Sequence, residues 1–144
     1  MKMKEILQVK GDNIITINKN ATVHEAIQLL NIHQIGALLV LDSYKNLSGI
    51  ITERDILREC ETMSEMLNKT LVKDVMTTDV ITGTEDDKLE DIMSIMTLNR
   101  IRHIPIIKYE RIIGLISIGD IVKAELKEIE TENRELKEYI YERY

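Results

Sequence analysis

The chain has 144 residues, 19 Lys and Arg against 25 Asp and Glu, a formal charge of −6 at pH 7, and 44% hydrophobic residues. This is the composition of one ordinary globular domain or two small ones. The acidic balance repels phosphodiester backbones and anionic membranes, and no run of Lys or Arg offsets it, so neither nucleic acid nor a membrane is an expected partner.

In chain order, the N-terminal run MKMKEILQVKGD interleaves charge with apolar residues and lacks the uninterrupted core of a signal peptide, which points to the cytoplasm. A β-branched strand is expected at Ile14 to Ile17. The cap pattern Thr22-x-x-Glu25 then opens a helix with Val23, Ala26, Ile27 and Leu30 on one face. Two apolar strands follow, Ala37 to Leu41 and Gly49 to Ile51, and a second helix starts at Thr52. Ile35 to Leu41 is the longest apolar stretch, seven residues, where a transmembrane helix needs about 20. The connecting stretch Glu61 to Asp79 carries Met63, Met66, Leu67, Leu71, Val75 and Met76, and reads as packed chain with a short helical turn. The mid-chain methionines are expected to be adaptable core filler.

The order then recurs. A strand is expected at Val80 to Thr82, a cap at Asp87-x-x-Glu90, and a helix with Leu89, Ile92, Met93 and Met96 on one face. Strands at Ile104 to Ile107 and Ile112 to Ile116 precede a helix from Ser117. Gly49 to Asp55 matches Gly114 to Asp120 at an offset of 65, and Thr16, Val23 and Leu30 match Thr82, Leu89 and Met96 at 66. Such repetition decides the architecture before any single motif does. The expected fold is α+β, a β-α-β-β-α unit used twice. Units of about 60 residues are marginal alone, so the two should pack together.

Nothing in the chain resembles a catalytic set, and an enzyme is not expected. His24, His33 and His103 fall in no metal-ligand spacing, so no metal site is expected, and no Walker or Gly-x-Gly-x-x-Gly loop is present. The lone Cys60 reads as a spectator thiol, a redox or metal sensor through Cys60 and His103 being a weaker reading. The candidate sites are the two strand-to-helix junctions, Thr52-x-x-Asp55 and Ser117-x-x-Asp120. A bland reading makes both mere helix caps, and Thr22-x-x-Glu25 shows that cap spacing alone proves nothing. In the other reading, the hydroxyl and free amides of a helix N-terminus favour phosphate, while an ionised Asp accepts from two hydroxyls of a ribose. Together those groups describe a nucleotide.

The duplicated Gly-h-h-Thr/Ser-x-x-Asp ending resembles the tandem CBS domain pair, or Bateman module, over about residues 10 to 125; Val75 to Thr77 and Arg102 to Pro105 resemble further stretches of it. The resemblance implies repeats at 8–62 and 80–126 packed as a pseudo-twofold pair, a connecting segment at 63–79 and a C-terminal helix at 127–144. It also implies a non-catalytic regulatory role: no required cofactor, and an adenosine-containing ligand such as AMP, ADP, ATP, NAD or S-adenosylmethionine in clefts between the repeats. Carried over, Asp55 and Asp120 would hold ribose, Thr52 and Ser117 phosphate, and Thr16 and Thr82 the base or sugar. The backbone at Gly36, Ala37 and Leu38, and at His103, Ile104 and Pro105, would border the adenine. Arg54 belongs to the first junction, where the second copy has Gly119, and Arg102 to the second, where the first has Gly36. The two sites are therefore expected to differ, and Leu39 in place of Pro105 separates them further.

The last helix continues to the C-terminus with Val122, Ile129 and Leu136 on one line and Leu126, Asn133 and Ile140 on the other, a heptad seam. This seam, and the habit of CBS pairs to associate through their helices, suggest a homodimer that signals to an unknown effector protein. The rival reading is a structural or scaffolding dimer with empty clefts.

Overall fold

The computed structural model describes residues 1–11, 13–63 and 67–143. The expected unit appears twice. The first comprises β1 (Thr16–Asn18), α2 (Val23–His33), β2 (Ala37–Leu41), β3 (Leu47–Thr52) and α3 (Glu53–Met63). The second comprises β4 (Gly83–Thr84), α5 (Leu89–Asn99), β5 (His103–Lys108), β6 (Arg111–Ser117) and α6 (Ile118–Arg143). Each three-stranded sheet pairs its first strand parallel to its second and its second antiparallel to its third. The last helix of the second unit and the C-terminal extension are one continuous helix. Among the described residues no helix is long and apolar enough to cross a membrane.

Alternation along β2 shows how the halves meet. Leu38 and Val40 point into the first repeat's helical core, with Val23, Ala26 and Ile51. Ala37 and Leu39 point the other way and join Ile50, Ile112 and Leu115 in a small cluster between the sheets. In the second repeat Ile104 and Ile106 pack with Leu89, Ile92, Met96 and Ile116. Met96 is core filler as expected; Met66 lies outside the described residues.

Two further helices complete the fold: one is the turn expected in the connecting segment, and the other was not expected. The short turn in the connecting segment is α4 (Val72–Val75), and α1 (Met3–Lys10) precedes the first unit. Each packs on the repeat other than the one it directly precedes. Met3 and Ile6 of α1 are buried in the second repeat's core, and Val72 of α4 in the first repeat's. The same main-chain bonds hold both: Met3 N–H to Asp87 O (3.0 Å) and Lys4 N–H to Glu85 O (2.9 Å) for α1, Val72 N–H to Ala21 O (2.8 Å) and Lys73 N–H to Lys19 O (3.0 Å) for α4. The acceptors again lie 66 apart, so the twofold relation extends to these helices.

Local details correct the sequence reading. The reciprocal cap at Thr22 and Glu25 forms, but the Asp87-x-x-Glu90 cap does not. Lys88 is the N-cap of α5 without a side-chain bond, because Asp87 Oδ2 is taken by the Thr84 amide at 2.7 Å in the preceding turn. The first strand of each unit also lies further along than expected. The second begins at Gly83, opposite Ile106, one step past Pro105, which has no N–H to add to the ladder.

Candidate functional site

Both junctions close as caps. At the first, the Thr52 amide and hydroxyl donate to Asp55 Oδ2 at 3.0 and 3.1 Å, and the Asp55 amide donates to Thr52 Oγ1 at 3.3 Å. At the second, the Ser117 amide donates to Asp120 Oδ2 at 2.9 Å and the Asp120 amide to Ser117 Oγ at 3.1 Å. The bland reading is thus realised in both. What separates Asp55 is its burial and its other oxygen: at 8% exposure it is the one buried charged residue among the described residues, and its Oδ1 accepts from Thr77 Oγ1 at 3.2 Å.

Asp55 stands at the wall of a cleft of about 670 Å³ between the repeats. From the first repeat come Gly36, Thr52, Glu53, Arg54, Asp55 and Arg58; from the connection, Thr77; from the second repeat, Asn99, Arg100, Arg102 and His103. Ile50, Leu57, Ile101 and Ile118 supply apolar wall. Arg54 and Arg58 are one turn apart on α3, while Arg100 is the left-handed C-cap of α5 and Arg102 begins the approach to β5. Four of the chain's seven arginines therefore line one cleft, against the two carboxylates of Glu53 and Asp55. This corrects the expectation that Arg54 and Arg102 serve separate sites. The cleft draws on both repeats, so the junction of the first faces the strand entry of the second.

The remaining predicted residues divide. Ala37, Leu38, Ile104 and Pro105 are buried, with the Leu38 and Ile104 side chains inside the repeat cores, so only their main chain could border a ligand. Thr16 and Thr82 are exposed and do not line this cleft, and Ser117 and Asp120 form the second junction outside it. Sequence reasoning missed Glu53, Arg58, Arg100 and Thr77 as wall residues. Arg58, four positions after Arg54 on a helix, was the available signal.

His103 reaches the cleft because β5 alternates Ile104 inward and its neighbours toward the other repeat. A Cβ on Gly36 would stand 3.4 Å from its Cε1. Burial holds the His103 imidazole below its ordinary pKa, the Lys10 and Arg102 cations adding to this and Asp120 opposing it. Among the described residues no cluster of His, Cys, Asp and Glu could hold a metal ion.

A duplicated α+β unit with its sheets packed against each other, and a polar cleft where one junction meets the other half, defines a paired repeat module. The sequence matches the CBS domain over residues 5–62 and 72–127, and the chain belongs to that family. It is 42% identical over 123 residues to the CBS domain-containing protein CBSX3, mitochondrial, of Arabidopsis thaliana, covering 83% of this chain but only 60% of that protein's length. Among solved structures, the CBS-domain protein ATU1752 of Agrobacterium tumefaciens superposes with a TM-score of 0.84 at 34% identity, covering 86% of this chain and 92% of that one. The CBS domain pair of protein MJ0100, solved with 5′-methylthioadenosine and S-adenosyl-L-methionine, superposes with a TM-score of 0.78 at 29% identity, covering 89% of this chain and 98% of that one.

Proposed function

We propose that this chain is a non-catalytic regulatory module whose repeats, 8–62 and 80–126, joined by 63–79, bind an adenine nucleotide in the Asp55 cleft, with 127–144 as a terminal helix. The observation that carries this reading is the convergence of Arg54, Arg58, Arg100 and Arg102 on the cleft that holds the buried Asp55. Guanidinium groups match phosphate oxygens bidentately, and concentrating them on a protein of charge −6 has an electrostatic cost that a polyanion offsets. The ribose diol takes Asp55 Oδ1 from the Thr77 hydroxyl, and the adenine lies among Ile50, Leu57, Ile101 and Ile118. AMP, ADP, ATP and NAD share this chemistry. S-adenosylmethionine, seen in the MJ0100 pair, brings a positive sulfonium toward the arginines and ranks below them.

Differential affinity for two packings of the repeats is what would pass the signal on. We place it in the cytoplasm, where Cys60 stays reduced, acting as a homodimer on an effector protein. The scaffolding alternative is favoured by one observation, the completed caps at both junctions.

Calorimetry of the chain with ATP, AMP, adenosine and S-adenosylmethionine separates the two. Under the sensor reading, ATP binds at least about tenfold more tightly than adenosine, a difference of about 1.4 kcal/mol, and loses that advantage in high salt. Asp55→Ala abolishes binding of both; Arg102→Ala weakens ATP alone. No heat and no thermal shift with any of the four at millimolar concentration supports the scaffold.

A further inference from the structure

The two junctions are related by the repeat yet are closed by different chemistry. Up to Leu7 and Met76 the crossing helices correspond: Leu7 packs over Gly114 and Met76 over Gly49, glycines 65 residues apart at which a Cβ would collide with those side chains. Beyond that point they diverge. α4 ends, Met76 turns extended (φ −59°, ψ 156°), and Thr77 exchanges main-chain bonds with Ile50 at 2.9 and 3.0 Å. α1 instead runs one turn further, to Lys10, before Gly11 (φ 87°) stops it. The Lys10 ammonium donates to Leu115 O at 2.5 Å and to Asp120 Oδ2 at 2.7 Å. Leu115 and Asp120 are the counterparts, 65 residues on, of Ile50 and Asp55. Where the first junction receives neutral main chain and one hydroxyl, the second receives a cation.

We propose that Lys10 is an internal occupant of the second junction, so that the chain presents one open nucleotide site, at Asp55, and a latent second one at Asp120. This rests on the nucleotide reading of the junctions. A ribose approaching Asp55 displaces a neutral hydroxyl held at 3.2 Å. One approaching Asp120 meets the Lys10 ammonium on Oδ2, held by a charge-assisted bond of 2.7 Å, about twice as strong as a neutral one. Only about a third of the Lys10 side chain and a fifth of the Asp120 side chain is exposed, so solvent screens the pair incompletely. The ammonium also donates to the Leu115 carbonyl, the counterpart of the Ile50 carbonyl that accepts from the Thr77 amide, which ties α1 to the mouth of the site.

The test is titration of the 144-residue chain with ATP by calorimetry, with matched melting curves to check folding. The proposal expects one site in the wild type and in Lys10→Arg, two in Lys10→Met, and one in Lys10→Met combined with Asp55→Ala, with the Asp120 site strengthened at least about tenfold by loss of the ammonium. Two sites of similar affinity in the wild type, or a single site persisting in Lys10→Met, overturn the role of Lys10 while leaving the nucleotide reading intact. No ATP binding by any variant overturns both.

Discussion

Thr77 Oγ1 donates to Asp55 Oδ1 at 3.2 Å, joining the connecting segment to the first turn of α3 across 22 residues of sequence. The same hydroxyl lies 3.4 Å from Asp55 Oδ2, so it is shared between the two oxygens and strongly aligned with neither. Thr77→Val removes this contact and little else. Stability is expected to fall by about 1 kcal/mol. ATP affinity is expected to rise severalfold, because the ribose no longer competes with a hydroxyl for Oδ1. Paired denaturant melts and titrations check both signs; an affinity that falls with stability would make Thr77 a ligand contact instead.

At Gly49 the connection presses close on the first sheet. A Cβ there would lie 2.6 Å from Thr77 O and 2.8 Å from Met76 Sδ. A main-chain oxygen cannot step aside as a side chain can, so Gly49→Ala should cost about 1–3 kcal/mol, lowering the melting temperature by roughly 2–4 °C per kcal/mol. It should also weaken ATP binding by shifting Thr77. Gly114→Ala meets only the flexible end of Leu7, and should leave binding at Asp55 unchanged while destabilising less.

The His103 imidazole gives the cleft a pH dependence. Its folded pKa is depressed below the ordinary imidazole value of 6.5, by burial first and then by Lys10 and Arg102, against Asp120. On acidification the unfolded chain therefore takes up its proton first, so this contribution to stability is intact above pH 6.5 and is lost as pH falls through the folded pKa. A bound polyphosphate favours the imidazolium. ATP affinity should thus strengthen as pH falls from about 8 to about 6, with proton uptake on binding visible as a buffer-dependent heat. His103→Gln should flatten both profiles.

The exposed seam of α6 carries the proposed dimer. Val122, Leu126, Ile129, Leu136 and Ile140 are each 46–59% exposed in the single chain. Replacing Ile129 and Leu136 together by Glu should weaken association by at least about a hundredfold, given that a and d positions carry coiled-coil stability. Asn133→Leu should relax the oligomeric state toward higher species. Light scattering across a concentration series reads both outcomes; a monomeric wild type at all concentrations removes the dimer.

Local pattern made much of this molecule readable. The 65- and 66-residue offsets, the 3.6-residue periodicity of α2 and α5 and the apolar alternation of β2 and β5 are short-range consequences of chain geometry, and each survives in the structure. The junction acids were legible for the same reason, since a cap is made by residues three apart. The cap expected at Asp87 failed because a turn amide only three residues earlier in the chain competed for the same oxygen.

Long-range choices were decided by packing. The N-terminal run reads as unremarkable sequence, yet Met3 and Ile6 bury themselves in the second repeat, because an apolar helix face carries no information about which of two similar sheets will cover it. That docking brings Lys10 to Asp120, and the twofold packing of the halves brings Arg102 and His103 to Asp55. By itself the sequence determined the repeated unit and its capped junctions, which follow from contacts within a few residues. Only the tertiary structure decided which junction lines the cleft and which is held by a lysine, because that depends on groups that meet solely when the two halves pack.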